Sequence, residues 1–310
     1  NRQTRIVADN MVEGDHVRYE GAIGTSVAKV FDLTVAATGL AAKRLRQAGK
    51  DYLTATIHPN SHAGYYPGAT PVSIKVVFEP GSGRLLGAQA VGFEGVDKRI
   101  DLFAQVIKNG GTVSDLTRTE HAYAPPYSSA KDPVALAGYV AENILTGRMK
   151  PVYWRQLRDL DVSSVTLIDV RTPVEFATGS LPGAVNFPLD DLRTSLSSIP
   201  ADKPIVVFCG VGLRGYLASN ILRQNGFKDV SNLVGGLKTY RTATAPIPSP
   251  QAPETSPKNP TPSPATPAKT ISVDACGLSC PGPIMKLKQT MESAPEGAVV
   301  KIEATDPGFA

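Results

Sequence analysis

The chain has 310 residues, of which 42% are hydrophobic and 19% charged, enough for two or three folded domains and incompatible with wholesale disorder. Its 32 basic and 28 acidic residues leave a net charge of +4 without a long basic block, so nucleic-acid or membrane-surface binding is not indicated. No apolar run reaches the roughly 18 residues of a membrane-spanning helix, and the first residues contain no apolar signal core. We therefore expect a soluble, cytoplasmic protein.

The three cysteines are Cys209, Cys276 and Cys280. They are too few for a disulfide scaffold and lack the paired spacing of a structural zinc site, so no metal is predicted. Reactive thiols are the chemistry that remains.

Residues 71–93 alternate apolar and polar side chains around a glycine-rich turn, which predicts an antiparallel hairpin. Val96, Ile100, Phe103 and Ile107 then recur at helical spacing. A second helix is predicted from Asp132-Pro133, a cap followed by a first-turn proline, to Gly147. Strands followed by helices indicate an α+β domain.

From about residue 160 the pattern becomes strand, loop, helix. Residues 165–170 and 205–208 predict buried strands, and Leu217, Ile221 and Leu222 predict the inward face of a helix that ends at Gly226. This arrangement is typical of an α/β domain with a parallel sheet.

Residues 242–270 contain nine prolines and predict an extended, mobile linker, because such a segment cannot bury a core. At roughly 3.1 Å per residue it could reach on the order of 90 Å. After it, Ile284, Leu287 and Met291 predict a helix, and residues 299–302 a strand with no partner in view. About forty residues make a poor domain, so we expect both ends of the chain to be cut from a longer protein.

Cys209 follows the strand 205–208 and opens a loop with glycines at 210, 212 and 215 before a helix begins. Backbone N–H groups can converge on the sulfur of such a loop, and the helix N-terminus and Arg214 add positive potential. Both effects favour the thiolate, so Cys209 is a candidate nucleophile. A lone cysteine at a strand end is otherwise an ordinary core residue.

The loop resembles the rhodanese active site, Cys-x-x-Gly-x-Arg, with Cys209, Gly212 and Arg214 at the matching positions. Residues 155–241 resemble that family, although Ser180 stands where it commonly has a histidine. The resemblance implies that Cys209 carries a persulfide and passes its sulfur to an acceptor thiol, with no cofactor needed. Arg214 would stabilise the anion together with the amides of the remaining loop residues, Gly210, Val211, Gly212, Leu213 and Gly215.

A cysteine phosphatase is the rival interpretation, because its loop also ends in an arginine. Four residues separate Cys209 from Arg214, one fewer than in the loops that hold a tetrahedral phosphate in that family. The shorter loop favours sulfur transfer.

Residues 1–150 resemble the C-terminal part of flavin-dependent pyridine nucleotide-disulfide oxidoreductases of the CoA-disulfide and polysulfide reductase type, most clearly at 24–36, 95–101 and 123–133. The resemblance implies a homodimer, and we expect the apolar sheet face of Val72, Ile74, Val76 and Phe78 and the two helices to supply its contact. The parent protein would use FAD and NAD(P)H. The Gly-x-Gly-x-x-Gly at 210–215 belongs to the loop that Cys209 opens, so we expect the main binding motifs for FAD and NAD(P)H to be absent from this chain.

Tyr65 and Tyr123 resemble two dimerisation-domain tyrosines of the CoA-disulfide-type members. The resemblance implies that their phenols lie over the partner subunit's active cysteine. Such phenols could stabilise a leaving thiolate. Packing with one satisfied hydroxyl is the alternative for both.

Residues 274–283 resemble the start of TusA-like sulfur carriers, including a Cys-Pro-x-Pro motif at Cys280. The resemblance implies that Cys280, at a helix N-terminus, is a sulfur acceptor of low pKa. A contact between Cys276 and Cys280, or two inert thiols, is the alternative.

We therefore predict a multidomain α/β and α+β protein. The predicted parts are a flavin-domain tail at 1–50, a dimerisation domain at 51–150, a rhodanese domain at 151–241, the linker at 242–270 and half a TusA-like domain at 271–310. The predicted function is sulfane-sulfur transfer through a Cys209 persulfide, within a parent reductase of CoA-disulfides, persulfides or polysulfides. Its partners would be small sulfur donors and thiol acceptors, CoA persulfide among them. The alternative function is a non-catalytic dimerisation and docking module.

Overall fold

A computed structural model describes residues 2–246, 270–276, 282–295 and 299–303 of the chain. Contacts divide the chain into two compact units, Asn1–Ala245 and Pro246–Ala310. Within the described ranges no helix is both long and apolar enough to cross a membrane.

The first unit begins with helix α1 (Arg2–Glu13), which has no buried residue. Five strands follow: β1 (Ser26–Val30), β2 (Leu33–Gly39), β3 (Leu53–Ile57), β4 (Val72–Phe78) and β5 (Leu85–Gly92). They form one antiparallel sheet in the order β1-β2-β5-β4-β3, and helix α2 (Ala42–Gln47) joins β2 to β3. The sheet contains strands from both sides of residue 50, where the sequence predicts the boundary between the flavin-domain tail and the dimerisation domain. That boundary remains a prediction.

The predicted hairpin is confirmed, because β4 and β5 pair in antiparallel register with Val76 opposite Ala88. The alternating side chains of β4 are at most 1% exposed: Val72, Ile74, Val76 and Phe78. They belong to the same core cluster as residues of the helices that follow. The expectation that this face supplies a dimer contact is therefore wrong. Alternation of apolar and polar residues shows that a strand has an apolar face. It does not show whether helices of the same chain or a partner subunit cover that face.

Three helices follow the sheet: α3 (Val96–Lys108), α4 (Val113–Arg118) and α5 (Pro133–Leu145). The helical spacing in 96–107 and the start at Asp132-Pro133 are both confirmed. Asp132 is the N-cap of α5 and its carboxylate accepts a hydrogen bond from the N–H of Val134 at 2.9 Å. This cap satisfies one of the free N–H groups of the first turn.

A buried ion pair joins α3 to the start of α5. Arg99 Nη2 lies 3.0 Å from Asp132 Oδ2, and the two side chains are 1% and 0% exposed. Arg99 also donates to the carbonyls of Ser61 and Gly95, and Ser128 donates to Asp132. These hydrogen bonds hold the pKa of Asp132 below its usual value against burial, which acts in the opposite direction. Both carboxylate oxygens of Asp132 are thereby hydrogen-bonded, as a buried charge requires, whereas Arg99 Nε is buried without a hydrogen-bond partner among the described residues.

A second sheet follows, built from β6 (Pro151–Val152), β7 (Thr166–Asp169), β8 (Val185–Asn186), β9 (Ile205–Phe208) and β10 (Val230–Leu233). Its order is β6-β10-β9-β7-β8 and every pairing is parallel, which confirms the predicted parallel sheet. The helices of this region are α6 (Trp154–Asp159), α7 (Pro173–Ala177), α8 (Leu213–Gln224) and α9 (Gly236–Thr244).

Two details of this region differ from the sequence prediction. Leu217 is 43% exposed, so it does not belong to the inward face of α8, which Ala218 and Leu222 occupy. Leu217 and Ala218 are adjacent, and the spacing to Ile221 and Leu222 is helical from either one, so the pattern did not distinguish them. Helix α9 also includes the first three residues of the segment predicted as linker, because no proline occurs before Pro246. Residues 247–269 of that segment lie outside the described residues.

Hydrogen bonds join the two sheet regions within the first unit. The hydroxyl of Tyr153 donates to the carbonyl of Thr54 at 3.1 Å and accepts from its N–H at 3.2 Å. The ring nitrogens of His58 lie 2.8 Å from Ser73 Oγ and 2.7 Å from Thr239 Oγ1, on opposite sides of the junction. Burial, helped by the charge of nearby Lys238, lowers the pKa of His58 to about 4. His58 therefore bridges the two regions as a neutral imidazole.

One side chain of the parallel-sheet region also enters the core of the antiparallel region. Val234 is 4% exposed and belongs to the core cluster that contains Phe78 and Phe103, and Tyr153 and Tyr216 pack against that cluster. The hydrophobic core is thus continuous across the junction.

The second unit contains β11 (Thr270–Asp274), α10 (Gly282–Ser293) and β12 (Val299–Glu303). The predicted helix is confirmed. The strand predicted to have no partner has one, because β12 pairs in parallel with β11, Ile271 lying opposite Val300. The partner strand β11 precedes helix α10 in the sequence. A prediction that considers only hairpins between consecutive strands therefore misses this parallel pairing.

Candidate active site

Cys209 directly follows β9 at the carboxyl end of the parallel sheet and is 1% exposed. Its sulfur accepts a hydrogen bond from the N–H of Gly212, with the N–Sγ distance 3.2 Å. Gly212 is the N-cap of α8, so the sulfur sits at the positive end of that helix. The amide and the helix end together place positive potential at the sulfur.

Two glycines allow the chain to close around this loop. Gly212 has φ 109°, a value that favours glycine. At Gly236, with φ 61°, a Cβ atom would lie 2.5 Å from the carbonyl oxygen of Cys209. The same carbonyl accepts from the N–H of Leu237 at 2.8 Å. The predicted closing segment 234–236 therefore fixes the Cys209 backbone.

Arg214 lies in the first turn of α8 and forms a two-bond ion pair with Glu175 of α7. Both nitrogen–oxygen distances are 2.7 Å, and the side chains are 34% and 41% exposed. The hydrogen bonds from Arg214 lower the pKa of Glu175 to about 2. The pair raises the pKa of Arg214, and the charge of Cys209 and a hydrogen bond to it contribute in the same direction. Arg214 is thus a permanent cation beside the sulfur.

Glu175 was not predicted as a site residue. The residues Thr172 to Glu175 form a capping box at the start of α7, in which the Glu175 carboxylate accepts from the N–H of Thr172. The capping pattern was readable in the sequence. The contact with Arg214 was not, because it joins side chains 39 positions apart.

A second polar network lies at the end of β7. Arg171 donates to both carboxylate oxygens of buried Asp169, and Ser180 donates to Asp169 Oδ2 at 2.7 Å. Ser180, which replaces the histidine common in the rhodaneses, thus makes a polar contact of its own. Arg171 also donates to the carbonyl of Gly179. These bonds fix the loop 171–180 that precedes and follows α7, and so the position of Glu175.

An apolar cavity of about 210 Å³ lies between the Cys209 loop and the antiparallel region. The loop contributes Val211, Gly212 and Leu213, and the other region contributes His58 and Leu136, among other residues. Of the predicted loop residues, Val211 and Leu213 have exposed side chains. The outer surface of the loop is therefore apolar, while on its inner side the N–H of Gly212 donates to the sulfur.

The structure brings Tyr65 and Tyr123 together although they are far apart in the sequence. Their hydroxyl oxygens lie 3.1 Å apart and both side chains are exposed. The hydrogen bond between the two hydroxyls raises the pKa of Tyr123, so Tyr123 stays a phenol at neutral pH. The pair offers a hydrogen-bond donor to a surface outside this chain's own core.

The two C-terminal cysteines stand differently. Cys280 lies outside the described residues, as does any contact it makes with Cys276. Cys276 is exposed, and its thiol is hydrogen-bonded to Asp274, which raises its pKa. Cys276 is therefore held as a thiol, in contrast to the setting of Cys209.

Within the part of the chain that the structure describes, no group of three or more His, Cys, Asp or Glu side chains could hold a metal ion.

Three family models match the chain. Residues 25–134 match the pyridine nucleotide-disulphide oxidoreductase dimerisation domain, residues 153–243 the rhodanese-like domain, and residues 271–310 the sulfurtransferase TusA family. These matches confirm the three resemblances described above.

The relatives with known names agree with the models. A coenzyme A disulfide reductase of Staphylococcus epidermidis is 40% identical over 142 residues, 46% of this chain and 32% of that protein. Among solved structures, reduced Bacillus anthracis CoADR-RHD has a TM-score of 0.76 and 48% identity, covering 78% of this chain and 43% of that chain. An NAD-dependent persulfide reductase from A. fulgidus has a TM-score of 0.68 and 37% identity, covering 76% and 42%.

The fold and the matches define a chain in which a dimerisation domain of the pyridine nucleotide-disulphide oxidoreductase class is fused to a rhodanese-like domain. More narrowly, its relatives are CoA-disulfide and persulfide reductases, and a TusA-like segment follows the rhodanese-like domain. The relatives imply FAD and NAD(P)H in the parent family. The chain spans less than half the length of each of these relatives.

Proposed function

We propose that the rhodanese-like domain of this chain transfers sulfane sulfur through a persulfide on Cys209. The observation that carries the proposal is the hydrogen bond from the N–H of Gly212 to the Cys209 sulfur at the N-terminus of α8. This arrangement stabilises negative charge at the sulfur, which both the attacking thiolate and the persulfide product carry.

The transfer takes place in two displacements. The Cys209 thiolate attacks the outer sulfur of a donor such as thiosulfate, the donor's S–S bond breaks, and its electron pair leaves with sulfite. Cys209 then carries a persulfide anion. An acceptor thiolate attacks the terminal sulfur, the new S–S bond forms, and the Cys209 thiolate leaves with the electron pair of the broken bond. The chain itself is neither oxidised nor reduced over the cycle.

Arg214 and the loop amides have separate roles in this mechanism. The amides of Gly210 to Gly215 would surround the terminal sulfur of the persulfide, and Arg214 would supply a fixed positive charge. Glu175 is a positioning residue, since its carboxylate holds the Arg214 guanidinium at two points. Because the pKa of Glu175 is about 2, the pair stays ionised throughout the working pH range.

We further propose the setting of this activity in the parent protein. The parent would be a homodimeric FAD- and NAD(P)H-dependent reductase of CoA-disulfides, persulfides or polysulfides, as the names of its relatives suggest. The Tyr65 and Tyr123 phenols would stabilise a thiolate leaving from the partner subunit's active cysteine. Cys280 would accept sulfur from Cys209, with 242–270 as the linker between them.

The test is the conversion of cyanide to thiocyanate with thiosulfate or polysulfide as donor. Turnover is expected from the chain and from the Cys276→Ser variant, and no turnover from Cys209→Ser. Mass spectrometry of the chain after donor addition should show one added sulfur on the peptide that contains Cys209. Turnover that survives Cys209→Ser would exclude the assignment.

The same assay separates the proposal from a non-catalytic dimerisation and docking module. A docking module would show neither turnover nor an added sulfur in the folded chain with any of these donors. Its Cys209→Ser variant would then behave as the unaltered chain does.

A further inference from the structure

A cavity of about 550 Å³ lies between helices α2 and α6 and the face of the antiparallel sheet opposite the core. It is separate from the Cys209 loop, none of whose residues lines it. Four cationic side chains line it: Lys43, Arg46, Lys75 and Arg155. The volume is in the range of sites that bind small organic ligands.

The lining of the cavity contains no Asp or Glu, and within the described part of the chain none of the four cations has an ion-pair partner. Outside the lining, the exposed carboxylate of Asp159 interacts electrostatically with Arg155. Other cations of the chain are paired in the same structure, as in Arg214–Glu175 and Lys150–Asp229. Four like charges around one cavity repel each other and attract an anion with more than one negative charge.

Lys75 is the cation on the sheet face and is half-buried, whereas Lys43, Arg46 and Arg155 are exposed. Burial, and then the charges of Arg155 and Arg46, lower its pKa. A lysine partly withdrawn from water between two arginines has an uncompensated charge, which a bound anion would neutralise. The four cations therefore face one common cavity, where their charges act together on a bound ligand.

The remaining lining suits the organic part of a ligand. Tyr52, Tyr153 and Trp154 line the cavity. The guanidinium carbon of Arg155 lies 4.4 Å from the centre of the Trp154 ring, a cation–π contact. Aromatic faces next to phosphate-binding cations are the combination that recognises a base joined to a phosphate chain.

We propose that this cavity binds a phosphorylated organic anion of the nucleoside diphosphate class. The cations would neutralise the phosphates, and an aromatic wall would contact the base. Thr239 lines the cavity and also contacts His58 at the junction of the two regions. A ligand here would touch both regions of the first unit at once.

Trp154 makes the proposal directly measurable, because it is the one tryptophan of the 310-residue chain and lines the cavity. Tryptophan fluorescence of the full chain is followed during titration with ADP, inorganic pyrophosphate or adenosine at low salt. ADP is expected to give a saturable change, pyrophosphate a weaker one, and adenosine none in the same concentration range. Added salt should weaken the binding of ADP.

Variants identify the side chains that bind. Lys75→Gln and Arg46→Gln are each expected to weaken ADP binding about tenfold, the loss of one charge-assisted hydrogen bond. Lys228→Gln removes an exposed cation that does not line the cavity and should leave the affinity unchanged. Arg46 is exposed, so its variant remains informative if Lys75→Gln impairs folding, which circular dichroism would show.

Several results would overturn the proposal. One is the lack of a saturable change with ADP at millimolar concentrations; another is equal binding of adenosine. Pyrophosphate binding as tightly as ADP would exclude the nucleoside diphosphate class. An equal loss of affinity in Lys228→Gln and Arg46→Gln would exclude this cavity as the site.

Discussion

The antiparallel and parallel regions of the first unit each contain an arginine paired with a carboxylate, and the two pairs differ in their surroundings. Arg99–Asp132 lies in the antiparallel region and is 1% and 0% exposed. Arg214–Glu175 lies beside Cys209 and is 34% and 41% exposed. In the first, backbone carbonyls and a serine make further hydrogen bonds to the pair, and only Arg99 Nε is left without one in the described part of the chain. In the second, the arginine also interacts with the neighbouring Cys209.

The difference shows how one chemical motif serves two purposes. A pair removed from water must be complete, because a single remaining charge is costly to bury. A pair that water still reaches contributes little to stability, and so can be retained for its effect on a neighbouring sulfur. We therefore expect the first pair to determine folding and the second to determine rate.

The largest effect is expected from Asp132→Ala, which leaves Arg99 buried without its carboxylate and removes the cap of α5. The free energy of unfolding should fall by roughly 3–5 kcal/mol, as for other broken buried pairs. Urea unfolding followed by circular dichroism measures it. Asp101→Ala, which removes an exposed carboxylate of α3, should change it by less than about 0.5 kcal/mol. Equal effects of the two variants would contradict this account of the buried pair.

Glu175→Gln is expected to act on rate and not on stability. The guanidinium of Arg214 loses a two-point anchor, so kcat/KM for sulfur transfer should fall roughly tenfold, while unfolding changes by less than about 1 kcal/mol. Asp159→Asn, which disrupts the exposed pair with Arg158, is the matched control and should leave the rate unchanged. A Glu175→Gln variant that unfolds easily but keeps its rate would reverse the proposed roles.

A smaller effect on stability is expected when the pH is lowered, through His58 at the junction of the two regions. The pKa of His58 is about 4 in the folded chain, whereas an unfolded histidine has a pKa of about 6.5. Between these values the unfolded state binds the extra proton. The His58 contribution to stability is therefore complete above about pH 6.5 and is lost as the pH falls towards 4.

Urea midpoints measured between neutral pH and pH 4 test this sign. His58→Asn should lose less stability over that interval than the unaltered chain does. His16→Asn, at an exposed histidine, should follow the unaltered chain. Parallel curves for His58→Asn and the unaltered chain would show that the junction does not titrate.

The smallest expected effect is none: the purified chain should bind no flavin and should not oxidise NADH or NADPH. We expect this because the Gly-x-Gly-x-x-Gly of its sequence, at 210–215, belongs to the Cys209 loop. Flavin absorbance after dialysis against free FAD measures it, with a known flavin-dependent disulfide oxidoreductase as the positive control. Stoichiometric flavin in the chain would contradict the expectation.

Patterns that lie within one element were readable from the sequence. The hairpin, the helix spacing in 96–107 and the parallel sheet depend on local alternation, capping and glycine, and the structure confirms them. The Cys209 loop was found for the same reason, because its glycines and Arg214 are neighbours in the chain.

Features that depend on distant residues were not readable. The hairpin face was assigned to a dimer contact although α3 and α5 cover it, and the partner of β12 was missed because it lies before α10. Glu175 reaches Arg214 across 39 positions, and only the fold places the two together. Tyr65 and Tyr123 are predicted as site residues through a family resemblance, since spacing alone favours ordinary packing for both, and only the fold shows their contact with each other.

The burial of Val234 determines whether the two regions of the first unit can be separated into soluble fragments. It stands next to the glycines that close the Cys209 loop, yet its side chain belongs to the core of the antiparallel region. A rhodanese-like fragment excised at residue 150 would expose Val234, Tyr153 and Tyr216 to water as a new apolar patch. The solubility of each region thus depends on the other, so recombination at this border would require polar residues at the newly exposed positions.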